Sequence, residues 1–106
     1  MTVETRPIVE PRTKTTADVL RHAALLIEER GWAQGDYEVD GRLCLLGSLN
    51  VATDGHSWST AMLANEACFF MIRGGIGAEW NDEPGRTAAE VTAALRTAAD
   101  RWEARR

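Results

Sequence analysis

Cys44, His56 and Asn81 are the residue types of a thiol nucleophile, its base and an orienting amide, and Asp82 is an alternative partner for the thiol. Cys44 stands just before Leu45-Leu46, and a thiol at the start of a helix there would have a lowered pKa. Cysteines in apolar surroundings are, however, usually inert fillers. The favoured reading is therefore a core thiol, a water-facing His56 in the turn Thr53-Asp54-Gly55-His56 and a structural Asn81, with a cysteine enzyme as the alternative. Cys68 also lies among apolar residues, so both thiols are expected to be buried and reduced.

Other chemistry is harder to place. Asp36-x-Glu38-x-Asp40-Gly41 imitates the opening of a calcium loop, but Gly47 stands at the twelfth position, where a bidentate Glu is required. An acidic hairpin facing water is the simpler account. Two Cys and two His with no Cys-x2-Cys or His-x3-His pair give no metal ligand set. Gly74-Gly75-Ile76-Gly77 lacks the Lys-Ser/Thr ending of a phosphate loop. No cofactor is expected. Trp80-Asn81-Asp82 has two readings. In the structural one, Trp80 fills a core gap while Asn81 and Asp82 tie down their loop through local backbone bonds, and Asp82 or Glu83 pairs with Arg86. In the functional one, Trp80, Asn81 and Asp82 join Trp32 and Gln34 as the rim of a binding pocket, since aromatic anchors with polar neighbours suit recognition.

The elements that must carry these residues are mostly helices. Val19, Leu20, Ala23, Ala24, Leu26 and Ile27 form one apolar stripe over 16–30, with Thr15 or Thr16 as cap, Asp18 in the first turn and Gly31 as the stop. His22 falls on the polar side. Asp40-Gly41 is a two-residue hairpin turn between Tyr37-Glu38-Val39 and Arg42-Leu43-Cys44. Residues 43–52 are apolar on nearly every side and read as a short buried central helix, in which Gly47 lets another helix approach, with a buried strand as the alternative because so short a run shows no decisive period. A third helix runs from Ser57 or Ser59 to Arg73. Leu63, Ala67, Phe70 and Met71 form its inner stripe, which Ala64, Cys68, Phe69 and Ile72 widen, and Gly74-Gly75 ends it. Residues 76–86 read as irregular. Thr87-Ala88-Ala89-Glu90 is a capping box opening a last helix whose apolar face is Ala88, Val91, Ala94, Leu95, Ala98 and Trp102. Tyr37 and the four Trp close the gaps between elements. The sum is an all-α, compact four-helix domain with a minor β-hairpin between helices 1 and 2. Residues 1–15 form a flexible N-terminal tail and 16–106 the single domain.

Composition narrows the function classes. The chain has 106 residues and a formal charge of -4, which argues against general attraction to phosphate and makes nucleic acid an unfavoured partner. Arg101, Arg105 and Arg106 form a basic end too small to reverse that. No apolar run reaches the roughly 18 residues of a membrane span. Met1-Thr2-Val3-Glu4 lacks the start of a secretion signal, so a cytoplasmic setting is expected.

One ordered set of motifs carries a resemblance. It runs Gly31-Trp32, Gln34-Gly35, Gly41-Arg42, Cys44, Leu46-Gly47-Ser48-Leu49, Trp80-Asn81-Asp82, Pro84-Gly85-Arg86-Thr87 and Glu90-Val91. This set resembles a family of small uncharacterised proteins, a domain of unknown function, from actinobacteria, other bacteria and their phages. The resemblance covers residues 16–102, and Ser48 stands where the family usually has Ala. It implies a mostly helical domain and supplies no activity and no catalytic residues. The resulting expectation is a non-enzymatic module that works through contacts with a protein partner, with homodimer formation left open.

Overall fold

The computed structural model describes residues 15–53 and 58–105. Residues 1–14 of the tail expected over 1–15, and Asp54, Gly55 and His56 of the turn expected over 53–56, lie outside the described residues. Within them the chain is mainly helical: α1 (Thr16–Arg30), β1 (Glu38–Val39), β2 (Arg42–Leu43), α2 (Leu45–Ala52), α3 (Trp58–Arg73), α4 (Ala78–Asn81) and α5 (Ala88–Ala104).

α1 is the centre of the packing. The Thr15 hydroxyl accepts the Asp18 N–H at 3.1 Å while the Asp18 carboxylate accepts the Thr15 N–H at 3.0 Å, closing a capping box at the start. Its stripe of Val19, Leu20, Ala23, Ala24 and Ile27 is fully buried. α5 lies antiparallel along it, and two sets of ion pairs fix that orientation. Arg21 binds Glu103 (2.9 Å) and Asp100 (2.8 Å), while Arg96 forks onto Glu28 with bonds of 2.7 and 3.0 Å. The pairing holds Glu28 below the usual carboxylate range and raises both guanidinium groups. Being exposed, such pairs set register more than they stabilise.

The hairpin turns as its sequence predicts. Asp40 (φ 52°) and Gly41 (φ 84°) both take the left-handed conformation of a type I′ turn, with Glu38 opposite Leu43 and Val39 opposite Arg42. Two short strands do not hold alone. Here Leu43 gives its N–H to the Gly31 carbonyl and accepts the Ala33 N–H, both at 3.0 Å, so the loop after α1 covers the open side of β2. Leu43 is buried, and Cys44 caps α2 by accepting the Gly47 N–H on Sγ at 3.3 Å. α2 then places Leu45, Leu49 and Ala52 in the common core with Ala67 and Met71 of α3 and Val91, Leu95, Ala98 and Ala99 of α5.

The structure corrects five expectations. There are five helices among the described residues rather than four, because residues 78–81 of the segment read as irregular form the single turn α4. Four residues are too few to show a period. Gly47 does not admit another helix: a Cβ there would collide with the Tyr37 carbonyl, so it admits the hairpin's backbone. Tyr37 itself is 58 % exposed and closes no gap. Phe69 and Ile72 are not inner residues but 63 % and 50 % exposed, since α3 packs on α1 and α2 and turns its far side outward. Ala88 is exposed, and Thr92 and Ala99 take the buried face of α5 instead.

Candidate functional site

The alternative reading, a cysteine enzyme, draws little support from the geometry of Cys44 and Asp82. Cys44 is buried, and burial pushes its thiol above the ordinary range. The Gly47 and Leu46 N–H groups pull the other way without reversing it, and the Asp82 and Asp36 carboxylates add to the rise. The lowering expected from a helix N-terminus is therefore overridden by desolvation. Asp82 accepts from Asn81 Nδ2 and the Gly35 N–H, both at 2.9 Å, and these bonds hold its carboxyl below the usual range, which makes it a weak base. Cys68, expected to be buried, is half-buried, and that burial still raises its thiol, with Cys44 adding to it. Among the described residues no cluster of His, Cys, Asp and Glu is arranged to hold a metal ion. Asp36 caps the Tyr37 N–H at 2.8 Å and Glu38 pairs with Arg30 at 3.4 Å, so the acidic hairpin is committed locally.

Of the five residues expected to form a rim, the fold gathers four into one network and turns the fifth away. α4 lifts Asn81 to 1 % exposure between the post-α1 loop and the start of α2. Its Oδ1 accepts the Trp32 indole N–H at 2.8 Å and the Leu45 N–H at 3.0 Å. Its Nδ2 donates to the Ala33 carbonyl at 3.1 Å and to Asp82 at 2.9 Å. An amide has two donors and two acceptor lone pairs, so Asn81 is satisfied within the chain. Gln34 Nε2 closes the same joint onto the Asn81 and Glu83 carbonyls, both at 3.1 Å. Apart from the Asn81–Asp82 contact, these bonds are long-range rather than the local loop bonds the sequence suggests. Leu45 carries one of the helix N–H groups that no carbonyl of α2 can reach, so Asn81 serves as a remote cap for that helix.

Trp80 faces the other side. Its ring carries the Arg86 guanidinium 3.9 Å from the centroid, and Arg86 Nε donates to the Trp80 carbonyl at 2.9 Å. Arg86 also reaches Glu83 (3.2 Å) and Glu90 (3.7 Å). With Ile76, this stack borders an open groove of about 1110 Å³ between α3 and α5. Met62 and Phe69 stand along α3 at 49 % and 63 % exposure. Ala93, Ala94, Thr97 and Ala98 make the α5 wall low. The Phe70 ring meets Trp102 edge-on at 5.1 Å, joining the two helices, and Arg105 stacks on Trp102 at 4.0 Å. The sequence reading missed this groove. Its signal was an α3 stripe too wide for a helix packed on one face, together with two Trp residues each followed by an Arg at short spacing.

A family model described as a family of unknown function, DUF6197, matches residues 11–101, which includes every motif that carries the sequence resemblance. No curated protein and no solved structure matches the chain.

Proposed function

We propose that this chain, which belongs to the DUF6197 family of unknown function, is a non-enzymatic binding module acting in the cytoplasm through protein contacts at the α3/α5 groove. One observation carries the reading. Large apolar side chains, Met62 and Phe69, stand exposed along a groove bordered by half-buried Trp80 and Trp102, each with a stacked arginine. Contiguous exposed apolar surface with aromatic and Arg anchors is the composition of interaction sites. The groove, about 1110 Å³, is open along one side, whereas small-molecule sites enclose most of their ligand. The polar joint around Asn81 serves instead to hold α4, and with it Trp80, at the groove's edge.

Affinity capture from a bacterial lysate, followed by titration of the retrieved protein, tests this. Phe69→Asp should weaken binding at least tenfold, and Tyr37→Asp, an equally exposed aromatic outside the groove, should not. Equal binding by wild type and Phe69→Asp overturns the reading. Among the described residues no helix is long and apolar enough to cross a membrane.

A further inference from the structure

We infer that the occupant of the groove is an acidic amphipathic helix of about three turns on a partner protein, an assignment that rests on the docking reading above. The charges of the groove point to it. Arg73, Arg86, Arg101 and Arg105 line it against Glu66 and Glu90 alone, although the chain as a whole carries -4. Both glutamates are engaged within the fold: Glu66 accepts the Thr16 hydroxyl at 2.6 Å, and Glu90 completes the α5 capping box and faces Arg86. Arg73 and Arg101, one on each wall, have no carboxylate partner among the described residues. The groove is thus a local basic trough with an apolar floor on an acidic protein. A basic segment would be repelled by it, and an acidic one is steered in.

The dimensions fix the shape of the occupant. From Met62 to Arg73 the α3 wall extends about 17 Å at 1.5 Å per residue, the length of about three helical turns. Between two walls of helix, the matching element is a third helix with anchors at i, i+3, i+4 and i+7. The low alanine and threonine wall of α5 lets its backbone approach closely, while Met62 and Phe69 adapt around its anchors. Carboxylates flanking those anchors then meet Arg73 on one side and Arg101 on the other.

Selection from a phage-displayed library of random 14-residue peptides on the full-length protein tests the inference. Enriched peptides should carry apolar residues at helical spacing and more Asp and Glu than the starting library. R73E/R101E should weaken them about tenfold, the scale of two partly screened ion pairs. Phe69→Asp should abolish them, and a circular dichroism spectrum unchanged in both variants shows that the fold persists. Enriched peptides that are neutral or basic, or that bind R73E/R101E as well as wild type while losing Phe69→Asp, overturn the acidic helix and leave the docking reading standing. No enrichment above the Phe69→Asp background overturns both. A concentration-dependent dimer that Phe69→Asp dissolves shows a second copy in the groove and overturns the acidic helix.

Discussion

Asn81→Ala is the sharpest test of how this fold holds itself together. The substitution removes four hydrogen bonds and leaves the Trp32 indole N–H, the Leu45 N–H and the Ala33 carbonyl without partners, the last two in fully buried surroundings. At roughly 1 kcal/mol for each lost bond, with more for buried groups left orphaned, the cost is about 3–5 kcal/mol. A domain of this size has about 5–15 kcal/mol in all, so the variant should lie close to its unfolding limit, with Tm lower by about 15–30 °C. Urea titration followed by tryptophan fluorescence reads the loss as a fall in midpoint at constant slope. N81D supplies a second, pH-resolved measurement. It keeps the acceptor for Trp32 and Leu45 but turns a carboxyl toward the Ala33 carbonyl and the Asp82 carboxylate. Desolvation and like charge raise the folded-state pKa of that carboxyl above its unfolded value. The penalty relative to wild type is therefore smallest in acid and grows as the pH rises above about 3.9. A loss under about 1 kcal/mol for Asn81→Ala, together with an N81D penalty flat from acid to neutral pH, would refute the view that this amide joins α2, α4 and the post-α1 loop.

Three further outcomes follow from the same geometry. Helix propensity alone says that Gly47→Ala should stabilise α2 by about 1 kcal/mol. The Tyr37 backbone in its path predicts instead a loss of about 1–3 kcal/mol by thermal denaturation, and a gain would show that the hairpin yields freely. Cys44 and Cys68 should both alkylate more slowly at neutral pH than in the denatured chain, because burial keeps each thiol protonated. Cys44 outpacing the denatured control would return the cysteine enzyme to consideration. Asp82 has a depressed folded-state pKa, so its contribution to stability is complete above its unfolded value near about 3.9 and is lost as the pH falls through the lower folded value. Asp82→Asn keeps the acceptor and removes the charge, and its stability should fall less steeply in acid than that of wild type. Parallel acid profiles would count against the Asn81 and Gly35 bonds as the cause.

Read alone, the sequence determined those features whose physics is local. The α1 stripe, both flanking Thr caps, the Asp40-Gly41 turn and the Gly74-Gly75 stop depend on the next few residues, and each stands in the structure within a residue or two of its expected place. The family likewise was legible, since its motifs are a matter of order along the chain. What lay beyond reach was everything set by residues far apart in sequence. Which neighbour needed Gly47 to be small depended on where the hairpin returned. Whether Phe69 was core or surface depended on which side of α3 met α1, because an apolar side chain reads the same on either face. Asn81 could be recognised as a loop residue but not as the remote cap of α2, 36 residues away. The groove exists only because α3 and α5 both pack on α1 and leave a gap between them. A surface of that kind has no signature in a chain read one residue at a time.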